Sequence, residues 1–280
     1  MVTIIIPVSR PDYLKRLFGQ LELLFCNPAE TNLLVYVDGD LNLYEKARNY
    51  TVMSKFSEKL CVYRRKGLPN VGHMASRRKR IADIHNEIKA NLNYTPEYDF
   101  VYLIEDDTLV PPDSLEKLME GFKDHPEAGF ISGVELGRWG FLHVGAWETD
   151  NVDYPSVITS LPEKEGLVEV DASGLYCCLV RANVYNDHFF KPFEKVLGPD
   201  VDFGFELRKK GYKNYVNFDV QCIHMDKKED IDFTGDVIQV RFTRQNQGWE
   251  LEELGTPSAQ TSPLLPPEAP STGSNNLPRG

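Results

Sequence analysis

Cysteine is scarce: 280 residues hold five, Cys26, Cys61, Cys177, Cys178 and Cys222. None sits in a C-x-x-C pair and the number is odd. A zinc site or disulfide framework is therefore not expected, and the thiols are expected to be reduced and mostly buried. Long apolar runs are missing too. The run in "MVTIIIPV" is too short for a secretory leader and Pro7 interrupts it. No stretch approaches the roughly 20 apolar residues of a membrane span, so a cytoplasmic protein is expected. Positive charge is in deficit, with 31 Lys and Arg against 42 Asp and Glu and a formal net charge of -11. That excludes wholesale electrostatic binding to nucleic acid or an anionic membrane, a local basic patch aside. Internal repeats are absent. What remains is ordinary for a globular chain, 41% hydrophobic and 26% charged, and long enough for one large α/β domain or two small ones.

Strand-like and helix-like runs alternate. "VTIIIPV" (Val2 to Val8) is a continuous β-branched run, the pattern of a strand buried on both faces. "PDYLKRLFGQLELLF" carries apolar residues at helical spacing. A second strand is expected over Asn32 to Asp40, a helix over 41–60, a third strand over Cys61 to Lys66 and a loop at "GLPNVG". "HMASRRKRIADIHNEIKANL" reads as a helix, "YDFVYLIEDD" as a fourth strand, "PPDSLEKLMEGFKDH" as a helix starting at Pro112 or Asp113, and "AGFISGVEL" as a fifth strand. Such an alternation implies a mostly parallel sheet with helices on both faces, which binds ligands at the carboxyl ends of its strands. Residues 137–170 read as a long, partly mobile excursion. Strand and helix patterns return in "LVEVDASGLYCCLVRANVY" and "GPDVDFGFELRKKGYKNYVNFDVQCIHM", with a further strand at "DVIQVRFTR". From Gly255 the chain is rich in Pro, Ser, Thr, Gly and Asn and nearly uncharged, the composition of a disordered tail.

Glu105, Asp106 and Asp107 end an apolar strand, where three like charges repel one another. Either the strand ends in water, as a solvated acidic turn, or something positive sits there. Carboxylates at that position suit Mg²⁺ or Mn²⁺, with phosphates completing the coordination. Asp200 and Asp202 precede an amphipathic helix. One of them can cap it, and a carboxylate beside a polar cleft can act as general base. His224 ends a strand. A lone His is usually a satisfied core or surface residue, but beside a metal it becomes a third ligand. Arg77, Arg78, Lys79 and Arg80 cannot all face one way on a helix. One or two can reach a diphosphate and the rest form a solvated face. Trp139, Phe141, Trp147 and Tyr154 can stack on sugars or simply pin loops to a core.

Taken together these motifs resemble a family-2-type glycosyltransferase of GT-A fold, over roughly Val2 to Met225. "VYVDGD" looks like the second strand whose acid contacts the nucleobase. "NVGHMASRRKRI" resembles N-x-G-x-x-x-A-R-N, with Arg77 in the arginine's place and Arg78 replacing the usual Asn. "LIEDDTLVPPDSLEKL" resembles the D-x-D strand, with Glu105 for its first acid. "GPDVDFGFELRKKGY" resembles the element that carries the catalytic base, with Pro199 where Glu often stands, and "CIHM" resembles the late His that joins the metal.

The resemblance implies an α/β fold of GT-A type: a Rossmann-like, mostly parallel central sheet with flanking helices, then a disordered C-terminal tail. It implies one domain over 1–254, with a nucleotide-sugar half (1–135), an acceptor half (136–254) and a tail (255–280). It implies a metal-dependent, inverting transfer from a nucleoside-diphosphate sugar, a UDP- or GDP-sugar, with Mn²⁺ or Mg²⁺. Asp200 would be the base, with Asp202 as the other candidate. Pro7, Asp38, Arg77, Glu105 and Asp106 would contact the nucleotide sugar, and Asp107 and His224 the metal. Trp139, Trp147 and Asp202 would shape the acceptor site. The acceptor would be a glycan, a protein or a modified nucleobase.

Two other classes fit parts of the pattern. A nucleotidyltransferase would usually show a Gly-rich basic loop after the first strand, and "PVSRPDYLKR" has no glycine. A non-catalytic sugar-nucleotide or glycan-binding module on the same scaffold would be favoured by loss of the acids, yet Asp107 and Asp200 are present.

Overall fold

The chain opens with strand β1 (Val2–Val8), whose side chains alternate between two cores. Ile4 and Ile6 enter one apolar cluster and Ile5 the other. All three are fully buried, each contributing about 1.5–3 kcal/mol. This is why the strand is apolar throughout rather than alternating. The structure, a computed structural model, describes residues 1–65, 74–92, 97–136, 145–148, 156–157, 165–191, 198–225, 239–245 and 248–254.

After β1 come helix α1 (Leu14–Leu23), β2 (Thr31–Gly39), α2 (Leu41–Met53), β3 (Glu58–Arg65), α3 (Met74–Leu92) and β4 (Phe100–Ile104). Then follow β5 (Thr108–Leu109), α4 (Ser114–Asp124), β6 (Ala128–Leu136), β7 (Ala146–Glu148), β8 (Ser156–Val157), β9 (Leu167–Val170), β10 (Ala172–Ser173) and β11 (Cys177–Arg181). The chain closes with α5 (Ala182–Asp187), α6 (Pro199–Lys209), β12 (Lys213–His224), β13 (Gln239–Gln245) and β14 (Gly248–Leu254). The main sheet runs β3-β2-β1-β4-β11-β6-β12-β5, with β9 also on β12. From the pair directions, six of its nine strands (β3, β2, β1, β4, β6 and β12) point the same way, and β11, β5 and β9 oppose them. The mostly parallel sheet is therefore as expected. Helices α1, α2 and α4 pack on one face, through Leu17, Ala47 and Leu118 among others. Helices α3, α5 and α6 pack on the other, through Ile88, Tyr185 and Leu207.

Boundaries differ where local chemistry overrides periodicity. The expected helix over 41–60 stops at Met53, and β3 starts early, at Glu58. Asp40, expected as the last strand residue, instead caps α2: its side chain accepts from the Leu43 N–H at 2.8 Å. At α4 the N-cap is Asp113, and its side chain makes no cap hydrogen bond. The excursion over 137–170 contributes β7 and β8, and β7 pairs with both β8 and β10 in a separate three-stranded sheet. Strand β14, unforeseen, pairs antiparallel with β13. The expected loop at "GLPNVG" and the tail from Gly255 lie outside the described residues.

Two details deliver the site. Pairing of β1 with β4 runs from Val2↔Phe100 to Ile5↔Leu103. Pro7, which has no N–H to offer, lies beyond it and pairs only with Tyr36 of β2. The chain at Ser9 and Arg10 thus emerges over the end of β4. Strand β12 shifts register against β6 between Asn217 and Gln221. Before the shift its outer neighbour is β9, and after it β5, with His224 opposite Thr108.

Candidate active site

Strand β4 ends in a turn in which the Thr108 N–H donates to the Glu105 carbonyl at 3.2 Å. The turn breaks strand alternation, so the adjacent Asp106 and Asp107 reach one partner. Both are 1% exposed. The positive group that such buried acids demand is Arg10. Its guanidinium forms ion pairs with both carboxylates. Asp106 also accepts the Ser9 N–H at 2.7 Å, the Arg10 backbone N–H at 2.9 Å and the Arg10 Nε–H at 2.8 Å. Burial pushes the Asp106 carboxyl up, while Arg10 pulls it down. For Arg10 burial opposes the charge, and Asp106 and Asp107 together outweigh it, leaving the guanidinium raised.

The turn is pinned from both sides. Gln20 of α1 donates to the Thr108 carbonyl at 3.0 Å and accepts from the Val110 N–H at 2.7 Å. The Met225 N–H donates to the Asp107 carbonyl at 2.8 Å, and Tyr13 donates to the Met225 carbonyl at 3.1 Å. These ties bring the His224 Nε2 to 3.0 Å from the Asp107 Oδ2, both side chains being buried. Glu105 is half-buried, and its N–H donates to the Tyr176 carbonyl at 3.1 Å.

Asp38, buried at the carboxyl end of β2, is held by Arg80 of α3. Arg80 also donates to the Asp38 carbonyl at 3.2 Å. Arg77, the arginine expected near the diphosphate, is exposed on the first turns of the same helix, and Lys79 pairs with Asp83 at 2.7 Å.

Asp200 and Asp202 lie in the first turn of α6, half-buried, behind Gly198 as N-cap and Pro199. Acids there complement the helix dipole. The Asp200 carboxylate turns back over Gly198 and towards Gly174, in the turn that leads into Tyr176. For Asp202, burial and then the charge of Glu206 push the carboxyl up, against Lys209 and Lys191. Helix α6 sits so close to β10 that a Cβ on Gly204 would lie 2.7 Å from the Ala172 Cα and from the Asp171 carbonyl oxygen. Trp147 is half-buried against Ala172, Val201 and Phe205, which makes it a prop under α6. Trp139 lies outside the described residues.

The structure thus gathers Pro7, Asp38, Glu105, Asp106, Asp107 and His224 at the carboxyl ends of β1, β2, β4 and β12. Among the described residues, no group of three or more His, Cys, Asp or Glu side chains is arranged to hold a metal ion unaided. Asp107 and His224 offer one oxygen and one nitrogen donor, and ligand oxygens would have to complete the shell. Two partners escaped the sequence reading. Arg80 had a signal, since it continues the inward i, i+4 series of Ile84, Ile88 and Leu92. Arg10 had none until β1 and β4 are known to be neighbours.

The mostly parallel central sheet with flanking helices is of GT-A type, as the comparisons with known proteins show. Residues 100–249, more than half of the chain, match the model for glycosyl transferase family group 2. The chain belongs to that family. Among solved structures it resembles the mannosyltransferase PcManGT from Pyrobaculum calidifontis, in complex with GDP-Man and Mn²⁺. The TM-score is 0.56 at 14% identity, over 82% of this chain and 58% of that one. At that identity the likeness speaks for the fold, and the chain spans under two thirds of that structure's length. Residues 1–349 of TarS from S. aureus align at a TM-score of 0.45 and 15% identity, over 81% of this chain and 58% of that one. No curated protein matches the chain in sequence. No described helix is long and apolar enough to cross a membrane.

Proposed function

We propose that the chain is a metal-dependent, inverting glycosyltransferase that moves a sugar from a nucleoside-diphosphate sugar, a UDP- or GDP-sugar, to an acceptor hydroxyl. The single observation that carries this reading is the approach of His224 to Asp107, at 3.0 Å, at the end of β4. A carboxylate oxygen and an imidazole nitrogen suit Mn²⁺ more readily than Mg²⁺, which takes oxygen. When bound, the ion would neutralise the diphosphate and favour its departure.

The chain's own residues do the rest. Asp38, steadied by Arg80, holds the nucleobase. Pro7 and Glu105 border the nucleotide sugar, and Arg77 reaches the diphosphate from the start of α3. Asp200 takes the proton of the acceptor hydroxyl as that oxygen bonds to the anomeric carbon. The bond from that carbon to the phosphate oxygen breaks on the opposite face, and its electron pair leaves with the nucleoside diphosphate. One displacement inverts the anomeric centre. Asp200 is favoured over Asp202 because its carboxylate turns towards the Gly174–Tyr176 segment, whose Tyr176 carbonyl binds the Glu105 N–H.

Residues 1–254 form one transferase domain in this reading, donor half 1–135 and acceptor half 136–254. The acceptor is a glycan, a protein or a modified nucleobase. Location in the cytoplasm is supported by five free thiols.

The test is release of nucleoside diphosphate from UDP- and GDP-sugars with Mn²⁺ and a panel of glycan and peptide acceptors. Acceptor-stimulated release from one donor, lost in Asp200→Asn, is expected. A folded chain that releases nothing from any donor contradicts the reading.

A further inference from the structure

Arg10 and His224 converge on one atom, the Asp107 Oδ2: an Arg10 terminal nitrogen pairs with it, and the His224 Nε2 lies 3.0 Å from it. The guanidinium is not free to leave. Its Nε–H donates to Asp106 at 2.8 Å, and Asp106 is itself fixed by the backbone N–H groups of Ser9 and Arg10, at 2.7 and 2.9 Å. Its carbon also lies 5.7 Å from the centre of the Tyr13 ring. Asp106 thus anchors the cation and Asp107 shares it. The Arg10 side chain is 37% exposed, so it is within reach of a ligand from solvent.

A divalent ion approaching Asp107 and His224 therefore meets a tethered positive charge on the same carboxylate, and like charges at such range repel strongly where water is scarce. An incoming diphosphate reverses the balance. Its oxygens could accept from the guanidinium N–H groups and would supply ligands to the ion.

We propose that Arg10 is a built-in counter-cation that keeps divalent metal off Asp107 until a diphosphate arrives, so that metal and nucleotide bind as a unit. This inference rests on the donor-site reading given above. It gives Arg10 a positioning role, distinct from the chemistry at the anomeric carbon.

The test is Mn²⁺ titration of the full chain followed by electron paramagnetic resonance, alone and with saturating UDP or GDP. The wild-type chain is expected to bind Mn²⁺ weakly alone and at least about tenfold more tightly with the nucleotide. In Arg10→Gln, Mn²⁺ alone is expected to bind about tenfold more tightly than in wild type, and the gain from nucleotide to shrink. If Arg10→Gln melts before titration, Arg10→Lys carries the test. An ammonium on a flexible stem lacks the planar fork that holds Asp106 and Asp107 together, so Mn²⁺ alone is expected to bind about threefold or more tighter. Unchanged or weaker Mn²⁺ binding in the folded variant, with Mn²⁺-dependent nucleotide binding intact in wild type, overturns this inference alone. A wild-type chain that binds no nucleotide under any condition overturns the donor-site reading and this inference with it.

Discussion

Two pairs of acids face the proposed reaction, and they are built differently. Asp106 and Asp107 are both 1% exposed and share Arg10, with backbone N–H groups and His224 closing round them. Asp200 and Asp202 sit half-buried on the first turn of a helix, with the Asp200 carboxylate turned back over Gly198. The first pair is charge organised in advance, as a site for a polyanion and its counter-ion requires. The second leaves one carboxylate room to accept a proton, as a base requires. Within the first pair the labour also divides, since Asp106 spends its oxygens on the fold and Asp107 turns towards His224.

The sharpest way to break the comparison is to remove Asp107. Asp107→Ala is expected to lower turnover by about 10³-fold or more, because the ion and the diphosphate lose their shared anchor. Melting should move less than in Asp106→Asn, since Asp106 keeps the Arg10 Nε–H and one terminal nitrogen. Asp200→Asn is expected to lower kcat by about 10²–10⁴-fold. Nucleotide affinity should stay unchanged by calorimetry, while Asp202→Asn stays within a few-fold of wild type. A reversed pattern would make Asp202 the base. Asp106→Asn should act on stability instead. It leaves Arg10 half-paired, and urea titration should show a loss of about 2–3 kcal/mol, below the full range for a broken buried pair because Arg10 is over a third exposed.

A buried titratable group outside both pairs serves as control. His85 of α3 contacts the Tyr185 hydroxyl at 3.0 Å. Burial, then Lys89 and His188, lower its pKa to about 3. It is therefore neutral in the fold, and its contribution is complete above the ordinary value near 6.5. As pH falls below 6.5 the unfolded chain takes a proton that the folded chain refuses, and stability declines by up to about 1.4 kcal/mol per pH unit until about pH 3. Urea titrations at pH 7 and pH 5 should show that loss in wild type and about 2 kcal/mol less of it in His85→Gln. Nucleotide binding should be the same in both proteins at pH 7. An equal loss in both would contradict the assignment.

Much of this organisation was legible from residue order. The β-branched run of Val2–Val8, the helical spacing from Leu14 and the acids behind "VYLI" set out a parallel sheet with chemistry at its carboxyl edge, because period and burial are local signals. What stayed hidden depends on which strands become neighbours. Arg10 and Asp106 are 96 residues apart and meet only because β1 pairs with β4. The register shift in β12 that carries His224 to Thr108 leaves no mark in composition. The separate sheet of β7, β8 and β10 arises from short segments whose pairing is likewise non-local. Arg80 is marked by its place in the inward series of α3, yet in composition it is indistinguishable from Arg77, Arg78 and Lys79 beside it.

The central claim is that a nucleoside diphosphate and a divalent ion bind together where β4 ends. It is tested most directly by calorimetric titration of UDP and GDP into the wild-type chain and Asp107→Ala, each with and without Mn²⁺. Tight binding of one nucleotide that requires both Mn²⁺ and Asp107 is expected. Equal binding in all four conditions, or none in any of them by a folded chain, would contradict it.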